Sequence, residues 1–102
     1  MGNWVKVAVE GDLAPGQGKT VDATGTEIAL FNAGGKFLAV ANTCPHRGGP
    51  LGGGELEGTV LTCPWHGWQF EMTTGATVQD PQESVPTYRT EVRNGEVFVE
   101  LP

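Results

Sequence analysis

Two stretches of the sequence, "NTCPHRGGPLGGG" at residues 42–54 and "LTCPWHGWQF" at residues 61–70, carry its most informative pattern. The chain has 102 residues with only two cysteines and two histidines, and all four lie in these stretches. Their spacing is C-x-H-x16-C-x2-H, formed by Cys44, His46, Cys63 and His66. Each stretch therefore offers one thiol and one imidazole, and together they predict a four-ligand metal site.

Two kinds of metal site are compatible with four such ligands. Structural zinc sites usually pair Cys with Cys and His with His at short spacing, so one Cys and one His in each stretch suit a zinc ion less well. A binuclear iron–sulfur cluster needs four terminal ligands for its two irons, and each stretch could contribute one ligand to each iron. Both alternatives remain open on spacing alone.

The remainder of the chain has an apolar pattern of period two, which predicts β-strands. Apolar residues alternate in "WVKVAVE" (4–10), while "TEIALF" (26–31) and "KFLAVA" (36–41) flank a turn at "NAGG". Short strands are predicted at "TVLT" (59–62) and "WQFEM" (68–72), and "GDLAPGQGK" (11–19) is predicted to be a loop.

The C-terminal segment predicts a hairpin around Asn94-Gly95, a dipeptide typical of type I′ turns. Its arms would place Tyr88, Thr90 and Val92 opposite Val97, Val99 and Leu101. No stretch has the apolar period of a helix, and sixteen glycines with seven prolines indicate many turns. The length suits one domain. We therefore expect an all-β fold, a small sandwich or barrel of short strands.

The net charge excludes several classes of function. Six basic residues face twelve acidic ones, which gives a formal net charge of −6. Such a surface repels phosphate backbones and anionic membranes, so we expect no nucleic-acid partner and no membrane partner. It favours docking onto a basic surface of another protein. The N-terminal residues contain no apolar run typical of a signal peptide, which leads us to expect a soluble, cytoplasmic protein.

Two other motifs prove to be weak. "PGQGKT" (15–20) ends like a phosphate-binding loop, but Leu13 stands where that motif requires its first glycine and no helix is predicted to follow. A cysteine nucleophile activated by histidine would leave the second Cys/His pair unexplained.

The two metal-binding stretches resemble a known family. "CPHRGG" (44–49) followed by "CPWHGWQF" (63–70) resembles the ligand loops of Rieske [2Fe-2S] proteins. The segments "EIALFNAGGKFLAVANTCPH" (27–46) and "VPTYRTEVRNGEVFVEL" (85–101) resemble the front half and the closing strands of a Rieske-type ferredoxin. The resemblance implies one Rieske-like antiparallel β domain over residues 1–102, with cluster-binding loops at about 44–54 and 63–70.

The resemblance also implies roles for individual residues. Cys44 and Cys63 would bind the inner iron of one [2Fe-2S] cluster, and His46 and His66 the outer iron. Electrons would enter and leave at the histidine face. The expected surroundings of the cluster are Arg47, Gly48, Gly49, Pro50, Trp65, Gly67, Trp68 and Phe70.

Departures from the high-potential Rieske proteins indicate a low-potential centre. Those proteins carry an extra cysteine in each loop, where this chain has Gly49 and Trp65, and a Ser and a Tyr after the second histidine, where it has Trp68 and Phe70. Losing two O–H donors to sulfur stabilises the reduced cluster less.

The predicted function is that of a soluble one-electron carrier and not of an enzyme. "CPWHGWQF" also resembles the Rieske loop of ring-hydroxylating oxygenases, but the sequence has no further histidine for a mononuclear iron. We therefore expect the ferredoxin component of a multicomponent dioxygenase, with a flavin-dependent reductase and a terminal oxygenase as its partners. The alternatives are the Rieske small subunit of an NAD(P)H-dependent nitrite reductase and a structural zinc-binding adaptor.

Overall fold

The computed structural model describes residues 3–44, 49–65, 67–78 and 84–101, and within these ranges the chain forms ten β-strands and two short 3-10 helices. The 3-10 helices are Glu10–Asp12 and Leu51–Gly53. The strands are β1 Asn3–Val9, β2 Gly18–Ala23, β3 Thr26–Ala33, β4 Lys36–Ala41, β5 Glu55–Glu57, β6 Val60–Thr62, β7 Gln69–Glu71, β8 Thr87–Tyr88, β9 Thr90–Arg93 and β10 Glu96–Leu101. The predicted all-β fold class is confirmed.

The strands form three antiparallel sheets. The first sheet has the order β1-β10-β9, the second β2-β3-β4-β8 and the third β5-β6-β7. The third sheet and the Leu51–Gly53 helix lie between β4 and β8 in sequence, although β4 and β8 are neighbours in the second sheet.

The second sheet separates two hydrophobic cores because both faces of β3 are buried. Ile28 and Leu30 point into the first core, which is shared with the first sheet, and Ala29 and Phe31 point into the second core, which is shared with the third sheet. Alternation along a strand sends neighbouring side chains to opposite faces, so the unbroken apolar run in β3 reflects burial on both sides.

Three tight turns connect the long hairpins, and each has positive φ at both central residues. Their φ values are 50° and 94° at Thr24-Gly25, 66° and 100° at Gly34-Gly35, and 51° and 78° at Asn94-Gly95. This is the pattern of type I′ turns, whose twist suits paired strands. The turn predicted at Asn94-Gly95 is therefore found.

Three details differ from the sequence prediction. The predicted loop 11–19 gives way to β2 at Gly18, where a glycine is needed because a Cβ would collide with the Phe31 ring. Strand β5 was not predicted. Val92 and Thr90 do pair with Val97 and Val99, but Tyr88 pairs with Ala39 of β4, because the chain crosses between sheets at Arg89.

Helices long and apolar enough to cross a membrane are absent from the described part of the chain.

Candidate metal centre

The first loop begins after β4, and its outgoing residues 42–44 pair with its returning residues 49–51. The base of the loop is therefore a short two-stranded ladder. The Asn42 carbonyl accepts a hydrogen bond from the Leu51 N–H at 2.7 Å, and Thr43 forms a β-bridge with Pro50. The Cys44 N–H donates to the Gly49 carbonyl at 2.9 Å. Cys44 therefore stands at the entrance to residues 45–48, which include the predicted site residues His46, Arg47 and Gly48 and lie outside the described residues.

The second loop repeats this closure on the third sheet. The Cys63 N–H donates to the Trp68 carbonyl at 2.7 Å, which extends the ladder between β6 and β7 by one pair. Each cysteine thus donates its N–H to the carbonyl five residues later, around four intervening residues. His66, the second predicted histidine ligand, lies outside the described residues. Gly67 has a φ of 72°, a conformation that favours glycine and that lets the chain return toward β7.

The two thiols meet in the interior between the loops. Cys44 is 1% exposed, Cys63 is 2% exposed, and neither forms a disulfide. Burial raises the pKa of the Cys63 thiol, the hydrogen bond and charge of Cys44 raise it further, and an N–H from Trp65 at 3.4 Å from Cys63 Sγ opposes the shift. A raised pKa means that the metal-free thiol keeps its proton, so metal binding must displace that proton.

Gly49 allows the loops to approach each other. A Cβ at residue 49 would lie 3.1 Å from Cys63 Sγ and 2.9 Å from Trp65 Cγ, which is closer than side chains normally pack. The same Cβ would lie 3.1 Å from Trp65 Cβ. The structure therefore places Gly49 directly beside Trp65, the two positions at which the resemblance implies the extra cysteines of high-potential Rieske proteins.

The other predicted surroundings have differing environments. Phe70 is fully buried in the second core, and Trp68 packs against that core while remaining partly exposed. Trp65 is half-exposed at the tip of the second loop. Pro50 is exposed and directly precedes the Leu51–Gly53 helix in an extended conformation, with φ −79° and ψ 104°.

Sequence reasoning missed the residues that anchor the first loop from outside. The buried Asn42 side chain accepts hydrogen bonds from Thr20 of β2 and from the Gly52 N–H. Gly52 and Gly54 have no space for a Cβ, which would meet Thr20 and the Thr62 carbonyl respectively. The three consecutive glycines in "GGG" were a visible signal, but their partners lie far away in sequence.

This donor set fits an iron–sulfur cluster. Two buried thiols converge from separate loops, a backbone N–H already points at one sulfur, and a glycine keeps the space beside that sulfur free of a side chain. Soft thiolates select iron–sulfur clusters, zinc or copper, and N–H donors near sulfur stabilise negative charge on a cluster.

Comparison with known proteins distinguishes between these metals. The model of the Rieske [2Fe-2S] domain matches residues 3–89 of this chain. Ferredoxin CarAc from Metapseudomonas resinovorans is 36% identical over 99 residues, which cover 94% of this chain and 92% of that protein.

Two solved structures extend the comparison. A chain in the complex of reduced oxygenase and oxidized ferredoxin in carbazole 1,9a-dioxygenase has 34% identity and a TM-score of 0.86, covering 95% of this chain and 92% of that chain. A protein from Mycobacterium tuberculosis, described as an NADH-dependent nitrite reductase small subunit, has 27% identity and a TM-score of 0.92, covering 100% and 97%. Because the family model matches residues 3–89, and a relative of 36% identity covers 94% of its length, the chain belongs to the Rieske [2Fe-2S] family.

Proposed function

We propose that the protein is a one-electron carrier, the ferredoxin component of a multicomponent oxygenase of the ring-hydroxylating type. It would take an electron from a flavin-dependent reductase and pass it to a terminal oxygenase, without catalysing a reaction itself. The observation that carries the proposal is the meeting of two buried, unbridged thiols from two loops in a Rieske chain.

We propose the following ligands for the cluster. The four ligands are Cys44, His46, Cys63 and His66, because the chain has no further cysteine or histidine. The resemblance to the Rieske family implies that the two cysteines bind one iron and the two histidines the other. When bound, the cluster supplies a site that gains and loses one electron. The Trp65 N–H stabilises negative charge on the Cys63 sulfur, and the surrounding second core keeps water away from both sulfurs.

The proposed partners rest on the relatives. In carbazole 1,9a-dioxygenase a ferredoxin similar to this chain forms a complex with the oxygenase. The formal charge of −6 supports docking onto a basic partner surface. Two free cysteines suit a reducing compartment, so we also propose a cytoplasmic location. Because β3 contributes to both cores, we propose that residues 1–102 form one domain.

A nitrite reductase subunit is the second candidate. Its support is the TM-score of 0.92 to the Mycobacterium tuberculosis protein, whereas the ferredoxin has higher sequence identity, 36% against 27%. Identity is the more informative measure here because one Rieske fold serves several functions. We therefore favour the oxygenase ferredoxin.

An EPR spectrum of the purified protein before and after reduction with dithionite tests the cluster directly. We expect no signal when oxidised and, after reduction, a rhombic signal with an average g below the free-electron value. Iron and sulfide should be present in equal amounts. Zinc in place of iron, with no signal in either state, would contradict the proposal.

Partner assays then distinguish the oxygenase ferredoxin from the nitrite reductase subunit. The reduced protein should support turnover by a terminal oxygenase when a flavin reductase and NADH are supplied. If it instead co-purifies with a nitrite reductase large subunit and supports only nitrite reduction, the second candidate replaces the first.

A further inference from the structure

Asn42 lies at the junction between β4 and the first loop, two residues before Cys44. Its side chain is 5% exposed, and its Oδ1 accepts two hydrogen bonds. One comes from Thr20 Oγ1 on β2 at 3.0 Å, and the other from the Gly52 N–H at 2.8 Å. A single buried oxygen therefore links the second sheet to the returning arm of the first loop.

The backbone of Asn42 is fixed at the same time. Its N–H donates to the Glu27 carbonyl of β3 at 3.2 Å, and its carbonyl accepts from the Leu51 N–H at 2.7 Å. Asn42 thus bonds to β2, to β3 and to two successive residues of the Leu51–Gly53 helix. Two of these four bonds reach the helix and two reach the second sheet, so Asn42 ties the helix to that sheet.

Packing also fixes the position of the Leu51–Gly53 helix against β2 and the second core. Leu51 is fully buried in the second core, and a Cβ at residue 52 would collide with the backbone and hydroxyl of Thr20. The close approach of Gly52 to β2 is what brings its N–H within reach of the Asn42 oxygen.

We propose that Asn42, with Thr20, is a positioning residue that holds the first loop ready for the cluster; this inference rests on the proposed function. Residues 49–52 are the return arm of the loop, and Gly49 on that arm lies beside Cys63 Sγ. Without the Asn42 oxygen, the Gly52 N–H is buried without its acceptor and the arm loses its tie to β2. Gly49 then no longer holds a fixed position beside Cys63 Sγ.

The structure offers a matched control for this role. Asn32 is a second buried asparagine, 6% exposed, whose side chain also makes two hydrogen bonds. Its Nδ2 donates to the Leu13 carbonyl at 2.9 Å, and its Oδ1 accepts from the Gly35 N–H at 2.7 Å. These partners lie in the connections before β2 and after β3, so Asn32 reports general destabilisation without touching the first loop.

The experiment measures the rate at which the holoprotein releases its cluster to an excess of chelator. The loss of visible absorbance monitors this release. Asn42→Leu and Thr20→Val remove the acceptor and the hydroxyl with little change of volume. Asn42→Asp and Thr20→Ser keep an oxygen at each position. Asn32→Leu is the control, and EPR of each reduced variant and its thermal midpoint are recorded alongside.

We expect Asn42→Leu, which removes both hydrogen bonds to Oδ1, to release the cluster roughly tenfold faster than wild type, because it leaves the buried Gly52 N–H without its acceptor. Thr20→Val should also accelerate release, both should shift the EPR g values, and the two oxygen-retaining variants should stay near wild type. Asn32→Leu should lower the thermal midpoint but leave release and g values unchanged.

Wild-type release rates for both Asn42→Leu and Thr20→Val would overturn the inference, as would equal acceleration by Asn32→Leu. If Asn42→Leu does not fold, Thr20→Val against Thr20→Ser decides the question. A wild-type protein without a [2Fe-2S] cluster would overturn the proposed function itself. That result is distinct from the release rates that would overturn the role of Asn42.

Discussion

Gly49 shows how a single missing side chain decides whether two loops can meet. Its backbone lies beside Cys63 Sγ and the Trp65 ring, with no room for even a methyl group. The residue has no positive φ, so its requirement is space and not backbone conformation. The sequence pattern predicted that glycines surround the site, but it could not tell which of them contact sulfur.

Gly49→Ala should therefore disturb the cluster. Its new Cβ would sit 3.1 Å from Cys63 Sγ and 2.9 Å from Trp65 Cγ, so one of the loops must move. We expect lower iron content per protein and altered EPR g values after reduction. Gly53→Ala is the control, because a Cβ there meets nothing within 4 Å. Equal behaviour of the two variants would show that the loops are not in contact at Gly49.

Glu71 ties two turns of the third sheet together through hydrogen bonds. Its carboxylate accepts from Thr59 Oγ1 at 3.0 Å, from Thr73 Oγ1 at 2.8 Å and from the Thr73 N–H at 3.2 Å. The Thr59 hydroxyl, followed by that of Thr73, lowers the pKa of Glu71 below its ordinary value of 4.5.

This lowered pKa predicts an acid-dependent loss of stability. The stabilisation by Glu71 is present above pH 4.5 and is lost as pH falls through the lower pKa of the folded state, because the unfolded chain takes up the proton first. Urea unfolding followed at a series of pH values should show a shallower acid decline for Glu71→Gln than for wild type. Thr59→Val should fall between them, and identical pH profiles would contradict the assignment.

At the scale of whole elements, the turn between β2 and β3 contains a strained residue. Thr24 has a φ of 50°, in the left-handed region that β-branched residues disfavour. The other two long hairpins place Gly34 and Asn94 at the equivalent turn position.

Thr24→Asn should therefore stabilise the protein, by up to about 1 kcal/mol, because asparagine tolerates the left-handed conformation better. Chemical denaturation of both proteins measures the difference. Thr24→Ala should give no such gain, since alanine shares the steric conflict. A loss of stability in Thr24→Asn would mean that the bond from Thr24 Oγ1 to the Ala23 carbonyl outweighs the strain.

Comparison of individual elements shows what sequence could reveal. Strong alternation predicted β1 and β10, and Asn94-Gly95 predicted its own turn, because these signals are local. Strand β2 was hidden by the glycines before it, and β5, three residues long, has one partly buried apolar residue. The apposition of Cys44 and Cys63 followed from the Cys/His pattern and the family resemblance, whereas the bond between Thr20 and Asn42 spans 22 residues and has no local signal.

Charge is unevenly distributed over the whole molecule. Ion pairs join Lys6 to Glu96, Lys19 to Asp12, Arg89 to Glu100 and Arg93 to Glu91, all in the first two sheets and the connection between them. Residues 49–78, which include the third sheet and the second loop, contain three glutamates and no lysine or arginine. The part of the chain that carries the second loop therefore contributes to the net negative charge of the protein.

This distribution predicts a salt-sensitive electron transfer. Stopped-flow absorbance can measure the rate at which the flavin reductase reduces this protein. That rate should fall markedly as ionic strength rises from about 0.01 M to about 1 M, because the Debye length falls roughly tenfold. The thermal midpoint of the protein over the same range serves as the control for unfolding. A rate that does not depend on salt would show that docking is not guided by charge.

The adjacency of β4 and β8 in the second sheet makes residues 42–86 a segment that protein engineering could remove or transfer. Val40 pairs with Thr87, and the Ala41 N–H donates to the Pro86 carbonyl at 2.9 Å, so residues 42–86 depart from and rejoin the second sheet at one place. Among the described residues of this segment, none is a buried member of the first core. A short turn from Ala41 to Thr87 would preserve that core and would expose Ala29, Phe31 and Val40 of the second. Residues 42–86, which carry both cysteines, could then be transplanted as one segment between neighbouring antiparallel strands of another protein that offers a similar apolar face and a hydroxyl in the place of Thr20.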